Sequence, residues 1–284
     1  MRYIGIMQGR LVPPTDGRFQ SFPNGDWRAE FARARDAGLD SIEWIYDVFG
    51  EAHNPLASDR GLEELESLAA GSGVRVVSVC ADYFMDRPIV AASGDELRDL
   101  VGRLYWLIER CRRARIERIV LPFVDASRLR DDADRRRALA VLSDVVPTAE
   151  HAKVELHLET DLAPQPFAAF LKGIVHPYVK VNYDAGNSAS LGYRPADEFA
   201  AYGARIGSVH IKDRTLGGGT VPLGTGDADL RAVFAGLHAL GYRGDYILQA
   251  ARGEPGCEVE LAAQNRRFVA GSIEANRTAH ATPG

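Results

Sequence analysis

VELHLETDLAPQPFAAFLKGIVHPYVKVNYD, residues 154–184, is the stretch that decides the fold. It holds two short apolar runs, at 154–159 and 179–184, on either side of a longer segment. Runs of this length and character are typical of strands that are buried on both faces of a sheet. Because a segment long enough for a helix separates them, the two strands are expected to lie parallel in one sheet.

The same alternation of short apolar runs and longer segments continues along the whole chain. Eight candidate strands follow from it: 3–7, 41–45, 75–80, 118–123, 154–159, 179–184, 207–211 and 245–249. Between them, apolar residues at helical spacing are clearest in 95–114, 131–152 and 227–240. Eight such units without a linker predict an α/β fold, a single-domain (β/α)8 TIM barrel over residues 1–275, followed by a flexible C-terminal tail over 276–284. A doubly wound open sheet is the rival architecture, but no GxGxxG motif follows the first strand.

Composition and charge restrict the class of protein. Of the 284 residues, 46% are apolar and 26% are charged, which is ordinary for a soluble globular protein with a large core. The formal net charge of −5 argues against a nucleic-acid partner, since phosphate binding needs a basic face, and favours a small-molecule substrate. Three widely spaced cysteines, no signal-peptide pattern and no apolar run of about 20 residues indicate a cytoplasmic location and no membrane partner.

Polar residues stand at the ends of four consecutive predicted strands. Glu159, Asp184 and Gln249 close the fifth, sixth and eighth strands, and His210 lies near the end of the seventh. In a (β/α)8 barrel the carboxyl ends of the strands meet at one rim, where active sites lie. A single carboxylate there is often only the cap of the next helix, but four such residues on adjacent strands favour a metal site. Two carboxylates, an imidazole and an amide oxygen suit Mn²⁺, Mg²⁺, Co²⁺ or Zn²⁺.

Four segments carry a resemblance to a known family: VNYDAGNSASLG at 181–192, SVHIKD at 208–213, VPLGTGDADL at 221–230 and GYRGDYILQAARG at 241–253. They resemble the second half of the xylose isomerase-like TIM barrels, also called the apurinic endonuclease family 2 superfamily. Within it the chain is most similar to sugar-phosphate isomerases and epimerases, including the L-ribulose-5-phosphate 3-epimerase and hexulose-6-phosphate isomerase groups. The resemblance is strong over about residues 150–255 and rests mainly on architecture before that.

The resemblance implies one bound divalent ion, with Mn²⁺ expected before Mg²⁺, Co²⁺ or Zn²⁺. Relatives hold it with a Glu, an Asp, a His and a Glu on strands five to eight. Here Glu159, Asp184 and His210 match the first three, whereas the fourth is Gln249. Many relatives also have a His three residues after the Asp, where this chain has Asn187. In the family the metal chelates the carbonyl and a neighbouring hydroxyl of an open-chain ketose, a carboxylate removes the adjacent proton, and an enediolate forms.

The presence of Gln249, where relatives have a Glu as the fourth metal ligand, affects the expected mechanism. Glu159 is expected to be the main base, with Gln249 and Glu43 as further catalytic residues. Gln249 cannot titrate, so it can bind metal or substrate only through its amide. A one-base isomerisation of a ketose therefore fits better than an epimerisation between two carboxylates, unless Glu43, Asp82 or His157 supplies the second acid.

The substrate implied by the resemblance is a small sugar or sugar phosphate, converted by an isomerase or epimerase. The residues expected to bind it are Gln8, Arg10, His157, Lys212 and Arg252, the last as an anion contact after the eighth strand. The alternatives are a lyase or dehydratase that acts on a polyol-like or keto-sugar substrate, a sugar-binding homologue without catalysis, and an endonuclease that acts on abasic DNA. The acidic net charge and the small number of histidines, seven, disfavour the endonuclease. Relatives often form homodimers or homotetramers, and the resemblance extends that expectation to this chain.

Overall fold

The computed structural model describes residues 3–279 and contains a closed barrel of eight parallel strands. Around the barrel the strands follow the order β1, β10, β7, β6, β5, β4, β3, β2. Their bounds are β1 Ile4–Met7, β2 Ser41–Ile45, β3 Arg75–Cys80, β4 Arg118–Phe123, β5 Glu155–Thr160, β6 Val179–Asp184, β7 Ile206–Ile211 and β10 Tyr246–Leu248. A small antiparallel pair, β8 Asp213–Arg214 with β9 Thr220–Val221, follows β7. The predicted (β/α)8 TIM barrel is confirmed, with β10 as its eighth strand.

Ten α-helices accompany the strands in the described residues. They are α1 Ala29–Asp36, α2 Asp59–Ser72, α3 Tyr83–Asp86, α4 Gly94–Arg113, α5 Asp132–Ala152, α6 Pro164–Lys172, α7 Ala185–Ser190, α8 Pro195–Tyr202, α9 Leu230–Ala239 and α10 Glu258–Ala279. Short 3-10 helices lie in the connections at Thr15–Gly17, Glu51–His53, Pro55–Ala57, Asp125–Ser127 and Gly203–Arg205. The long helices bury one apolar stripe each; α4, for example, buries Leu100, Leu104 and Leu107. Within residues 3–279, no helix combines the length and the apolar character needed to cross a membrane.

Most strand and helix bounds lie close to the predicted ones. The strands β2, β3, β4 and β6 begin and end at the predicted residues, and α4 and α5 differ from prediction by at most one residue at either end. The helix predicted over 227–240 is shorter, because Asp229 caps α9: its Oδ1 accepts a hydrogen bond from the amide of Ala232 at 2.9 Å. Asp227 accepts instead from the amide of Leu216 in the preceding loop.

The C-terminal boundary differs from the prediction. The polar composition after residue 275 predicted a flexible tail, but α10 continues to Ala279. Within its last turns, Asn276 Nδ2 donates to the carbonyl of Ser272 at 2.8 Å. Residues 276–279 are therefore part of the last helix, and the rest of the predicted tail, 280–284, lies outside the described residues.

The barrel interior is polar and is crossed by side-chain bonds. His210 on β7 and Glu43 on β2 bond to each other although their strands are not neighbours, so this bond spans the interior. Near the amino ends of the strands, Arg118 on β4 forms a buried ion pair with Asp245, just before β10, at 2.8 Å. Burial lowers the pKa of Arg118, but the charges of Asp245 and Glu43 outweigh it and raise that pKa above its usual value. The two bonds tie non-adjacent strands together at two levels of the barrel.

Leu107, which is 0% exposed on α4, tests the packing of the helices against the barrel. Leu107→Ala is expected to lower the free energy of unfolding by about 2–5 kcal/mol, because the truncation leaves a cavity in a closely packed core. Leu216→Ala removes the same atoms from a side chain that is 67% exposed, and should lower it by less than about 0.5 kcal/mol. Urea denaturation measures both variants, and equal losses would contradict this packing of α4.

Candidate metal and substrate site

Three side chains of the kind that bind metals converge at the carboxyl ends of β5, β6 and β7. Glu159, Asp184 and His210 each offer one atom, and these atoms lie within 4.8 Å of one another. His210 Nδ1 is 3.3 Å from Glu159 Oε2 and 3.8 Å from Asp184 Oδ2. All three side chains are buried. The structure thus brings together three of the four residues predicted to bind the metal, at distances that one cation could bridge.

Glu43 orients the ring of His210. Its Oε1 accepts a hydrogen bond from His210 Nε2 at 2.6 Å, and its Oε2 accepts one from Ser78 Oγ, also at 2.6 Å. Because Nε2 is engaged, Nδ1 is the ring nitrogen that faces Glu159 and Asp184. Glu43 is 0% exposed, with both oxygens engaged in the barrel interior. Its predicted catalytic role stays a prediction.

Two asparagines hold the carboxylate of Glu159, and neither was predicted as a site residue. Asn182 Nδ2 donates to Glu159 Oε2 at 2.8 Å and lies 3.1 Å from His210 Nδ1. Asn187 Nδ2 donates to Glu159 Oε1 at 2.7 Å. Asn182 precedes Asp184 by two residues on β6, so both side chains lie on the same face of the strand. That spacing, a polar residue two positions before a predicted ligand in the same strand, is the signal that could have identified it.

The cluster concentrates negative charge and therefore favours a cation. Burial lowers the pKa of His210, but Glu43 and the two carboxylates of the cluster outweigh it and raise that pKa well above its usual value. Burial raises the pKa of Asp184, but Lys212 and His210 outweigh it and lower that pKa to about 2. The carboxylates thus favour positive charge at the position between them, which a divalent ion would supply.

Lys212 lies between Asp184 and Gln249, just after β7. Its Nζ donates to Asp184 Oδ2 at 3.4 Å, to Gln249 Oε1 at 3.2 Å and to Asn187 Oδ1 at 3.2 Å. Gln249, the predicted fourth ligand, thus directs its amide oxygen at an ammonium group. The metal-binding and catalytic roles of Gln249 and the substrate contact of Lys212 stay predictions.

Gln20, for which the sequence suggested no role, links two sides of the barrel mouth. It belongs to the long connection between β1 and α1. Its Oε1 accepts a hydrogen bond from Gln249 Nε2 at 2.9 Å, and its Nε2 donates to Asp82 Oδ2 at 2.8 Å. The two partners follow β10 and β3, and they are 229 and 62 residues away from Gln20 in the chain. No local sequence pattern can indicate contacts of such long range.

Two arginines that were predicted to bind substrate fasten the β1–α1 connection. Arg10 donates to the carbonyl of Phe19 at 2.8 Å and to that of Ala250, after β10, at 3.2 Å. Arg252 donates to the same Phe19 carbonyl at 3.1 Å and to that of Val12 at 3.0 Å. Burial and the charge of Arg252 lower the pKa of Arg10 to about 9. These hydrogen bonds engage both guanidinium groups with backbone carbonyls. The predicted contacts of Arg10 and Arg252 with substrate stay predictions.

His157 and Gln8, also predicted to contact substrate, are 0% exposed. Gln8 Oε1 accepts a hydrogen bond from the amide of Ile45 at 2.9 Å. The His157 ring is bonded at both nitrogens, Nδ1 with Ser208 Oγ at 2.7 Å and Nε2 with Glu155 Oε2 at 2.8 Å. Burial is the largest influence on the pKa of His157 and lowers it to about 4, so the ring is neutral at neutral pH. The substrate roles of both residues stay predictions.

The neutral, buried ring of His157 should make stability depend on pH. The unfolded chain protonates this histidine near pH 6.5, whereas the folded protein does so only near pH 4. Between these pH values the unfolded state binds a proton that the folded state does not. The contribution of His157 to the free energy of unfolding is therefore full above pH 6.5 and falls by about 3 kcal/mol as the pH drops to 4.

Urea denaturation across that pH range measures the effect. His157→Gln should remove about that much of the pH dependence, because the variant has no imidazole to titrate. His53→Gln, which removes an exposed imidazole, should leave the wild-type profile unchanged. An unaltered slope in His157→Gln would contradict the neutral state of the buried ring.

Known proteins share this sequence pattern and this fold. A family model described as Xylose isomerase-like TIM barrel matches residues 31–268. An L-ribulose-5-phosphate 3-epimerase of Salmonella heidelberg (strain SL476) is 26% identical over 271 residues, which cover 90% of this chain and 95% of that protein. The solved structure of an L-ribulose 3-epimerase superposes with a TM-score of 0.79 at 21% identity, over 99% of this chain and 97% of that one. The structure of the IOLI protein with a zinc atom superposes with a TM-score of 0.75 at 15% identity, over 96% and 99% of the two chains.

Proposed function

Because this chain belongs to the xylose isomerase-like TIM barrel family, we propose that it is a divalent-metal-dependent isomerase or epimerase of a ketose sugar or sugar phosphate. The observation that carries the proposal is the convergence of Glu159, Asp184 and His210 at the carboxyl ends of neighbouring barrel strands. The relative that spans nearly the whole chain is a 3-epimerase of a ketose phosphate, and a similar solved structure is a 3-epimerase of the free ketose. These two proteins support the substrate class.

The cluster has the chemistry of a divalent metal site. Two carboxylate oxygens and one imidazole nitrogen suit Mn²⁺, Mg²⁺, Co²⁺ or Zn²⁺, and Mn²⁺ is the ion we propose. Buried carboxylates around His210 favour a cation at this place. The zinc atom in a similar solved structure supports a metal in this fold. When bound, the ion would act as a Lewis acid towards the carbonyl of a ketose.

Glu159 is the proposed base that removes the proton next to that carbonyl. Asn182 and Asn187 each donate one hydrogen bond to its carboxylate, one to each oxygen. Two such bonds hold the group in one orientation, and a fixed orientation is what a proton transfer over a short distance requires. Both donors are neutral amides, so they position the base without adding charge.

The remaining groups around the cluster would orient the metal ligand and the substrate. Glu43 accepts from His210 Nε2 and thereby directs Nδ1 towards the cluster, which is a positioning role. Lys212 and Gln249 offer an ammonium and an amide beside Asp184. Both can exchange their present hydrogen bonds for bonds to the hydroxyls of an open-chain sugar.

Glu159→Gln should abolish exchange of the acidic substrate hydrogen with solvent deuterium, because an amide cannot accept that proton. The probes are L-ribulose and L-ribulose 5-phosphate, each with Mn²⁺ in D₂O and followed by proton NMR. The expected loss is about 100-fold or more, and treatment of the wild type with a chelator should give a comparable loss. Glu150→Gln, on the exposed side of α5, should exchange like the wild type. Retained exchange in Glu159→Gln would remove Glu159 as the base.

Glu43→Gln should weaken Mn²⁺ binding about 10- to 100-fold, because it alters the partner that orients a histidine ligand. Isothermal titration of the chelator-treated protein with MnCl₂ measures this without any substrate. Glu30→Gln is the matched control, since Glu30 is also 0% exposed and burial raises its pKa to about 8, so that the amide replaces a carboxyl that is mostly neutral at pH 7. Equal affinities for Glu43→Gln and the wild type would contradict the positioning role.

A further inference from the structure

A second buried carboxyl, Asp82, lies at the barrel mouth just after β3. It is 5% exposed. Its Oδ2 accepts a hydrogen bond from Gln20 Nε2 at 2.8 Å, and its Oδ1 accepts one from Cys80 Sγ at 3.1 Å. Both donors are neutral groups. A buried carboxyl whose hydrogen-bond donors are neutral is costly to ionise, and such groups cluster at functional sites.

A line of hydrogen bonds joins Asp82 to the metal cluster across the mouth. Gln20 connects Asp82 to Gln249, and Lys212 connects Gln249 to Asp184. The line begins after β3, reaches β10 through Gln20 and ends on β6. Glu159, on β5, joins this line through Asn187, which accepts from Lys212 and donates to Glu159. Strand β4 lies between β5 and β3, the strand that Asp82 follows. The negative charge of Glu159 acts on Asp82, so the mouth holds two carboxyl groups within electrostatic range of each other, one near the end of β5 and one just after β3.

Inversion of a carbon next to a carbonyl requires two proton-transfer groups. Removal of the proton leaves a planar carbon, and inversion needs a proton to arrive on the opposite face. Gln249 cannot provide it, because an amide does not titrate. We propose that Asp82 is the second proton-transfer group and that the chain is accordingly an epimerase, an inference that rests on the proposed function above.

The proton balance of this scheme closes without any further reactant. In one direction the C–H bond breaks and its proton goes to Glu159. A new C–H bond forms on the other face with the proton of the Asp82 carboxylic acid, which is left as a carboxylate. In the reverse direction Asp82 accepts and Glu159 donates. Exchange with solvent restores both groups, and no oxidant or reductant takes part.

The surroundings of Asp82 suit a group that both donates and accepts protons. Burial is the largest influence on its pKa, which is raised to about 7, against the hydrogen bonds that it accepts. The negative charges of Asp47 and Glu159 also raise it. The other titratable groups that face it are the thiol of Cys80 and the guanidinium of Arg10. Efficient general acids and bases have pKa values near the working pH.

Gln20 shows how a sugar could reach this carboxyl. Its amide donates to Asp82, and its oxygen accepts from Gln249 and, at 3.1 Å, from Arg10 Nη2. A hydroxyl group both donates and accepts. The hydroxyls of an open-chain ketose can therefore replace the Gln20 amide at Asp82, Gln249 and Arg10 and bring the neighbouring carbon next to Asp82.

Asp82→Asn separates the two proton transfers. Asparagine keeps the shape of the side chain and an acceptor for Gln20, but it cannot titrate. The probes are L-ribulose 5-phosphate and its C3 epimer L-xylulose 5-phosphate, and the two free sugars, each with Mn²⁺ in D₂O. We expect interconversion to fall about 100-fold or more. One epimer, whose hydrogen faces Glu159, should still exchange at close to the wild-type rate, and the other should lose its exchange.

The matched control is Asp86→Asn, an exposed carboxylate four residues further on, in α3. It should interconvert and exchange both epimers like the wild type. Thermal denaturation verifies that both variants are folded. Without substrate, the infrared difference spectrum between the wild type and Asp82→Asn near pH 6 should contain the band of a protonated carboxylic acid.

Each outcome decides the inference. Interconversion by Asp82→Asn at the wild-type rate, equal loss of exchange for both epimers, or no carboxylic acid band would overturn the role of Asp82. A wild type that exchanges one epimer without forming the other would also overturn it and leave the proposed isomerase chemistry standing. A wild type that exchanges none of the probes would overturn the proposed function itself, and the inference with it.

Discussion

Three buried carboxylates that share one imidazole determine the arrangement of the barrel mouth. Oxygens of Glu43, Glu159 and Asp184 lie 2.6, 3.3 and 3.8 Å from nitrogens of His210. Such a concentration of negative charge is stable in a low-dielectric interior only beside positive charge. The ammonium group of Lys212 beside Asp184 supplies one positive charge against these three carboxylates. A divalent ion, together with the ammonium group of Lys212, would balance the three carboxylates, which is the physical reason for proposing a metal at this place.

The amide at position 249 fits the hydrogen bonds around it better than a carboxylate would. Gln249 accepts from Lys212 through its oxygen and donates to Gln20 through its nitrogen. A carboxylate could accept from Lys212, but it has no hydrogen with which to hold the Gln20 oxygen. It would also add a fourth negative charge beside Asp184. An amide at this position, just after β10, thus makes the link through Gln20 that reaches Asp82.

The sequence alone predicted the barrel and the core of the site because both follow from local patterns. Apolar runs give the strands, and the last polar residue of each run lies at the rim, which is how Glu159, Asp184 and His210 were identified. Gln20 could not be identified in this way, because its partners are distant in the chain and it lies in an irregular connection. Arg10 shows a related limit: the sequence predicts an anion contact for it, but does not indicate that it also donates to the carbonyl of Phe19. Such backbone contacts depend on tertiary packing.

Closure of the barrel between its first and last strands has a consequence for biosynthesis. Ile4 in β1 pairs with Tyr246 in β10, so one edge of the first strand stays unpaired until almost the entire chain has left the ribosome. Two other contacts can form only after the same segment has been synthesised: that of Gln20 with Gln249 and the ion pair of Arg118 with Asp245. Until then the nascent protein presents an open sheet edge, which is a site for mispairing with other chains. A transcript cut short before this strand would therefore yield a product prone to aggregate, even though it carries Glu159, Asp184 and His210.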